Sequence, residues 1–485
     1  MHQNIEQIAE HSVARSTFSD PLIQSLWESD INWDRAEMYV RRLQERIYQN
    51  TKSQQWLKVR NLQKLLARSY YAKVIAIREI TQRNHGKYTP GIDNNIYDTP
   101  NKRWLLAQET FDYQKDKPLP LKRVFIPKQD GSQRPLGIPT IHDRVMQLII
   151  KYALEPEFEA KFEPNSYGFR PGRSTMDAIA QVKKHLGGFN DSQWVLDADI
   201  SKCFDTISHQ FLLEQISIFK NIIRRWLKVG VIEFGNLKQT ESGTPQGGII
   251  SPLLANIALH GMEFLFSNNP SISLVRYADD FVVIANSKSI LETKVLPRLK
   301  TFLAERGLNL NELKTKIIHR SEGFEFLGFE IKFLIKQQAF KSFLLIKPPK
   351  RKILKVLRNL KDIFRKMSYK PLQQVIVRAN QLIRGWTYYY RFSNAKKSFT
   401  YFKDSIFKIV WRMLKRRHPK KNMKWLIKTY FKTIDKDHWV LYENNFLLFN
   451  PISVPVVKYI KVNELLSPFD RSQKEYWKAR SRCSI

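Results

Sequence analysis

Residues Tyr277-Ala278-Asp279-Asp280 lie between two runs suited to a sheet interior, Leu274-Val275 before and Phe281-Val282-Val283-Ile284-Ala285 after. Strand, two acids, strand predicts a tight β-hairpin with both carboxylates at its tip and apolar arms that hold it rigid. Two adjacent aspartates on such a tip repel each other, and a hard divalent cation with oxygen ligands is the natural neutraliser. Taken alone, an Asp-Asp pair is equally compatible with a solvated turn. What the pair does depends on what else the chain supplies.

Charge narrows the choice of partner. The 485 residues carry 81 Lys+Arg against 45 Asp+Glu, a net charge of +36. That excess is larger than solubility requires and points to a polyanion. With 43% hydrophobic and 12% aromatic residues a large core is available, and the length suits roughly three domains of ~150 residues. No apolar run approaches the ~18 residues of a spanning helix, so no membrane is expected. Cys203 and Cys483 alone build neither a disulfide framework nor a zinc site, which fits a reducing compartment. The N-terminus shows no charged-then-apolar signal, and Glu6 and Glu10 argue against a transit peptide. An intracellular protein facing nucleic acid is expected, in a bacterial cytoplasm or an organelle.

Along the chain, residues 1–30 are polar and aperiodic, a flexible N-terminus, and 31–110 read as a helical extension. Ala36, Val40, Leu43 and Ile47 form one helical stripe; Leu57, Leu62, Leu65 and Leu66 mark a second helix. Leu121–Lys128 and Gln133–Pro139 predict a hairpin whose turn is straddled by Lys128 and Arg134. A point charge and a planar fork there could cover one phosphate chain, or be ordinary surface charges. Val145, Leu148, Ile149, Tyr152 and Ala153 define a core helix ending near Pro156. In the strand Trp194–Ile200, period two places Asp197 and Asp199 on one face. Burying two unpaired carboxylates would cost several kcal/mol. Asp199, at the strand's end, is the acid able to reach out, and Asp197 reads as its structural partner. The glycines of Gly243–Pro252 allow a close backbone approach, with Gln246 able to hydrogen-bond to a base pair or ribose. Ser251-Pro252 predicts the start of a helix over 253–266, and Phe324–Ile331 a strand broken by Gly328.

Beyond Lys347 the composition turns basic and aromatic. Ile353, Val356, Leu357, Leu360, Ile363 and Phe364 form an apolar helix face, with Lys352, Lys355 and Arg358 beside it. That stripe could run along phosphates or face solvent. A second helix ends in Ile383–Phe392, where Arg384, Trp386 and Arg391 could stack on unpaired bases or belong to the core.

Carboxylates on adjacent strands, a glycine loop between them and a Lys/Arg hairpin before them are the parts that nucleotidyl transfer needs. Two Mg²⁺ ions ~3.5–4 Å apart then activate a 3′-hydroxyl and stabilise the leaving pyrophosphate. In this order the motifs resemble the reverse transcriptase–maturases encoded by group II introns, from about Trp33 to the C-terminal tail. The matching segments are Arg123–Lys128 with Arg134–Pro139, Ser166–Arg173, Ala198-Asp199-Ile200 with Phe204-Asp205, Thr244–Gly248, Tyr277–Asp280 and Ile383–Trp386 with its tyrosines.

The resemblance implies an α+β fold: a right-hand polymerase with fingers, a palm built on an antiparallel sheet and a helical thumb, followed by a helical maturase domain. Fingers and palm would occupy 111–340, thumb and maturase (X) domain 341–432, and a DNA-binding tail 433–485. Asp199, Asp279 and Asp280 would be catalytic, and with Ile200 they would hold two Mg²⁺. Lys128 and Arg134 would bind the triphosphate, Phe204 would screen against a ribose 2′-hydroxyl, and Gln246 would line the nucleotide pocket. Lys352, Lys355, Arg358, Arg384, Trp386 and Arg391 would contact RNA. The implied activity is RNA-directed DNA polymerisation coupled to splicing and retrohoming. Its partners are a group II intron RNA, an RNA template, a DNA primer or target, and dNTPs. A splicing-only maturase and a reverse transcriptase of another bacterial system, such as a retron, are the alternatives. The chain stops at Arg482-Cys483-Ser484-Ile485 where many relatives continue into an HNH endonuclease, so no second-strand cleavage is expected.

Overall fold

The computed structural model describes residues 27–127, 131–187, 193–336, 341–434 and 437–483, apart from the side chains of 336, 341, 482 and 483. Two compact units form, each from separated stretches. The first takes the described residues up to Lys161, Phe204–Ala258 and Phe469 onward; the second takes Phe162–Cys203 and Leu259–Pro468. Most of the expected flexible start lies outside the described residues, but Trp27 is buried against Trp33, ring centroids 5.3 Å apart.

The first unit is built on helices. Helix α1 (Trp33–Lys52) starts at Asn32, whose side chain accepts from Arg35 N at 2.9 Å. Its expected stripe, Ala36, Val40, Leu43 and Ile47, is buried. Helix α2 (Trp56–Ala67) buries Val59, Leu62 and Leu66 instead of all four expected leucines. Leu57 and Leu65 fall off that face and are 71% and 48% exposed. Strands β1 (Leu121–Pro127) and β2 (Gln133–Ile138) pair antiparallel as expected, Ile126 opposite Arg134.

Helix α3 (Ile141–Glu159) does not stop at Pro156 but runs one turn past it. Proline's fixed φ suits a helix; what it removes is the N–H that would bond the carbonyl four residues back, Tyr152 O. Gln44 Nε2 from α1 donates to that oxygen at 3.2 Å. A neighbouring helix thus satisfies the orphan, and the helix continues.

The second unit centres on an antiparallel sheet. Strand β3 (Trp194–Ser201) lies in its middle. On one side it pairs with β5 (Asp280–Ala285), which pairs in turn with β4 (Ile272–Tyr277). On the other side its end meets β6 (Asn309–Leu310) and its start β7 (Lys316–His319). Val195, Ala198 and Ile200 are buried while Asp197, Asp199 and Ser201 are half-exposed.

A second antiparallel sheet follows, β8 (Phe324–Phe326), β9 (Phe329–Lys336) and β10 (Lys341–Lys347). The expected single strand with a glycine break is therefore two strands. Leu327 and Gly328 join them with φ +48° and +79°, and positive φ at both centres is the signature of a two-residue hairpin turn. The helix expected over 253–266 is likewise divided: an α-helix over Ser251–Leu259 is followed by Gly261 at φ +94° and a 3₁₀ turn at Glu263–Phe266.

Helices α4 (Lys350–Lys366), α5 (Leu372–Tyr390) and α6 (Lys396–Arg417) share an apolar core that includes Val356, Leu360, Phe364, Ile376, Ile383 and Ile406. Strands β11 (Phe431–Ile434), β12 (Asp437–Glu443) and β13 (Phe446–Leu447) follow. The expected boundary at 433 falls inside β11. The segment after them is tied down: Val462 N donates to Asp177 Oδ1 at 2.7 Å, and Arg173 donates to Glu464 O at 2.8 Å. No helix among the described residues is long and apolar enough to cross a membrane.

Replacing Gln44 with Ala should destabilise the first unit by about 1–3 kcal/mol, the cost of a buried carbonyl left without a donor. Adding Pro156→Ala, which restores the missing N–H, should recover most of that loss in urea unfolding. Strictly additive effects of the two substitutions would show that Gln44 and Pro156 are not linked through Tyr152 O.

Candidate active site

The β4–β5 hairpin closes through a two-residue loop, Ala278-Asp279, with Tyr277 paired to Asp280. Ala278 has φ +59°, and Asp279 is not among the left-handed residues. Positive φ at only the first loop position is the sign pattern of a type II′ turn, where glycine is the usual occupant. An alanine held there costs about 1–3 kcal/mol. Only Asp279 occupies the tip, which corrects the expectation of two tip carboxylates. Asp280 is the first residue of β5 and stands directly across from Asp199 on β3. Sheet register, not the turn, brings those two acids together. Asp197, two residues earlier on the same face, lies opposite Lys316 of β7.

The charges confirm how crowded this edge is. The Asp280 carboxyl is pushed up to about 6 by lost hydration and then by Asp279 and Asp199. Asp197 is also pushed up to about 6, by burial and then by Asp280 and Asp199, with Lys316 opposing. Lys314 Nζ lies 2.7 Å from Asp199 Oδ2. Asp197, Asp199 and Asp280 line a polar cavity of about 730 Å³, with Lys314 and Lys316 beside them and Arg351, Lys352, Tyr389 and Tyr390 also on its wall.

Among the described residues, no three Asp, Glu, His or Cys side chains stand close enough together to hold a metal ion as they are placed. Asp199 is engaged with the Lys314 ammonium. The donor chemistry nevertheless fits a hard divalent cation: carboxylate oxygens in an open polar cavity, with Asp280 and Asp197 destabilised by lost hydration and then by neighbouring carboxylates. Asp199, Asp279 and Asp280 would hold such an ion once Asp199 is released from Lys314. Ile200 is buried and paired with Leu310, so its main-chain oxygen is all it has to offer.

In the first unit, the glycine loop lies against β2. Gly137 N donates to Gln246 O at 2.8 Å, and a Cβ on Gly247 would come within 2.8 Å of Gly137 O. Thr244 N donates to Phe204 O at 2.6 Å, and Gln246 Nε2 to Asp205 Oδ1 at 3.0 Å. Phe204, Gln246 and the strand that carries Arg134 are thereby joined. Arg134 itself is exposed. Lys128 lies outside the described residues.

Two side chains that sequence reasoning passed over are Asp205, which orients the Gln246 amide, and Lys314, which neutralises Asp199. Asp205 was visible as half of the Phe204-Asp205 pair. Lys314 had no comparable signal, since basic residues are common throughout this chain.

Of the expected RNA contacts, Lys352 and Lys355 are half-buried along α4 and Arg358 is exposed. Arg384 lies over the Phe449 ring at 5.1 Å, and Arg391 over Phe392 at 4.6 Å. Trp386 is half-buried and packs on the helical core: its ring centroid is 4.5 Å from Phe402 and 4.9 Å from Tyr390. The hydroxyls of Tyr389 and Tyr390 donate to Leu327 O at 3.0 Å and Gly328 O at 2.9 Å.

Comparison with known proteins supplies the family. Residues 126–331 match the family described as reverse transcriptase (RNA-dependent DNA polymerase). Residues 27–110 match the N-terminal domain of reverse transcriptase, and 353–431 the group II intron maturase-specific domain. Protein YkfC of Escherichia coli is 32% identical over 325 residues, covering 57% of this chain and 84% of that protein. The group II intron-encoded protein LtrA of Lactococcus lactis is 31% identical over 286 residues, 44% of this chain and 47% of LtrA, so the match spans under half of that relative. Maturase-like protein 1 of Euglena gracilis is 25% identical over 374 residues, 75% of this chain and 77% of that protein. With a reverse transcriptase domain followed by a maturase-specific domain, the chain belongs to the family of group II intron reverse transcriptase–maturases.

Proposed function

We propose that the chain copies RNA into DNA at Asp199, Asp279 and Asp280 and that it binds a group II intron RNA to promote splicing and retrohoming. The observation that carries the reading is the pairing of Asp199 with Asp280 beside the tip residue Asp279. Two Mg²⁺ ions held by these carboxylates would supply Lewis acidity, activating the primer 3′-hydroxyl and taking up charge on the leaving pyrophosphate. Lys314, 2.7 Å from Asp199 Oδ2, holds that carboxylate in place until the cation arrives. Arg134 and Lys128 hold the triphosphate, Phe204 stands against a ribose 2′-hydroxyl, and Gln246, steadied by Asp205, lines the pocket.

On this reading fingers and palm span 111–340, thumb and X domain 341–432, and the tail from 433 contacts target DNA. Lys352, Lys355, Arg358, Arg384 and Arg391 follow RNA phosphates, while Trp386 wedges the helix that presents them. The compartment is intracellular. A protein that only folded RNA would have no use for three acids crowded at a strand edge. That favours polymerisation over the splicing-only alternative.

In primer extension on an RNA template with dNTPs and Mg²⁺, Asp279→Ala should lower synthesis by on the order of 10³-fold or more. Its intron-RNA affinity should be nearly unchanged; retained synthesis would overturn the site. Neutralising Lys352, Lys355 and Arg358 should flatten the log–log salt dependence of RNA binding by ~0.7–0.9 for each lost phosphate contact. An unchanged slope would make the stripe a solvated face.

A third outcome concerns pH in metal-free buffer. The Asp280 carboxyl has a folded value of about 6 against 3.8 ordinarily, so the folded chain holds the extra proton between those values. Stability from this group therefore falls as pH rises through that window and is unaffected below it, where both states are protonated. The melting temperature of Asp280→Asn relative to the parent should climb from about pH 4 to 6 and then level off. A pH-independent difference would mean that neither lost hydration nor the neighbouring carboxylates raise Asp280.

A further inference from the structure

The segment Ser166–Arg173 has no part in the chemistry described so far, yet it is built against the catalytic hairpin. Arg276 N donates to Asn165 O at 3.0 Å and Tyr167 N to Arg276 O at 2.9 Å. Ser166 and Arg276 form a parallel bridge, so the segment runs along β4 toward the tip. It ends with Gly168 directly beneath Ala278: a Cβ there would lie 2.3 Å from Ala278 N and 2.8 Å from Tyr277 C. No side chain fits between the two backbones.

Arg276 acts from inside. It is 1% exposed, and its guanidinium donates to Ala278 O at 3.2 Å, the carbonyl of the left-handed residue. Its charge is met by Glu163, equally buried, at 3.9 Å. Glu163 is held in turn by His260 Nδ1 at 2.9 Å and Gly261 N at 2.6 Å. Arg170 donates to Glu163 O at 2.5 Å and Ser166 O at 2.8 Å, closing the loop on itself. A fully buried arginine, seated on a buried counter-ion, and a glycine without room for a methyl flank Ala278, the arginine at its carbonyl and the glycine at its amide.

We propose that Arg276, seated on Glu163 and backed by Gly168, is a positioning residue that holds Ala278 left-handed and so aims the Asp279 carboxylate. The proposal rests on the reading of Asp279 as a metal ligand. Without the guanidinium bond, the peptide between Ala278 and Asp279 is free to relax toward the ordinary right-handed region, and the carboxylate turns with it. Lysine at 276 keeps the charge facing Glu163 but loses the planar fork that reaches Ala278 O. The expected defect is therefore in metal affinity rather than in the chemistry at saturation.

The test is Mn²⁺ binding to the full chain without nucleic acid, read by electron paramagnetic resonance, for the parent, Arg276→Lys and Asp279→Ala. Arg276→Lys should weaken Mn²⁺ binding by about tenfold. In primer extension it should raise the half-saturating Mg²⁺ concentration similarly, with the rate recovered at saturating Mg²⁺. Parent-like Mn²⁺ affinity in Arg276→Lys, with Asp279→Ala impaired, would overturn the proposal and leave the site intact. Parent-like affinity in Asp279→Ala would instead overturn the metal-ligand reading itself. Should Arg276→Lys not melt cooperatively, Glu163→Gln, which preserves shape but removes the counter-charge, decides: weakened Mn²⁺ binding supports the role and unchanged binding refutes it.

Discussion

Like charges on neighbouring strands are the constraint around which the second unit is organised. Asp199 and Asp280 are fixed opposite each other by a ladder that runs the length of β3 and β5, so neither can retreat without giving up sheet hydrogen bonds. Like charges directly opposite each other across a strand pair destabilise it. The opposite face of the same strands, with Leu196, Ala198, Phe281 and Val283 buried, holds the arrangement together against that repulsion. A site that keeps its acids uncomfortable is one that gains most when a cation arrives. Lys314 is the partial substitute that the chain itself carries.

Around that edge the protein uses backbone geometry more than side-chain bulk. Ala278 and the Leu327-Gly328 hairpin turn the main chain through positive φ, and Gly168 lies beneath Ala278 where no side chain would fit. The Leu327-Gly328 hairpin is gripped by hydroxyls from Tyr389 and Tyr390, at the end of the helix in the maturase-specific segment. Within the second unit, the turn that closes one sheet and the helical core that follows are therefore mechanically continuous. Trp386, packed one helical turn before Tyr390, contributes to that continuity from inside.

Much of this was legible in the sequence because it follows from periodicity. The alternation in Trp194–Ser201 placed Asp197 and Asp199 on one face, the hairpin at β1–β2 followed from its turn residues, the stripe of α1 is buried as its spacing implies, and on α4 Ile353, Val356, Leu360 and Phe364 are buried with Leu357 and Ile363 half-buried at the margin. What was not legible depended on partners distant in the chain. Pro156 reads locally as a stop; only Gln44, more than a hundred residues away, makes it passable. Gly328 reads as a flaw in a strand until the register of β8 with β9 shows it closing a hairpin. Asp280 reads as a tip residue because a dipeptide does not reveal which of its members begins the strand. Arg276 was invisible for a different reason: among 81 basic residues, nothing local marks the few that are buried.

The interleaving of the two units has a consequence for how the chain is made. The first unit needs Phe469 onward to be complete, and the second extends to Pro468, so no N-terminal fragment contains all of either. Synthesis proceeds from the N-terminus, and domains ordinarily fold as they emerge. Here the stretch from Phe469, with its buried ring, reaches the first unit only after everything before it has been made. The net charge of +36 means that the chain attracts polyanions before either unit has received its last segment.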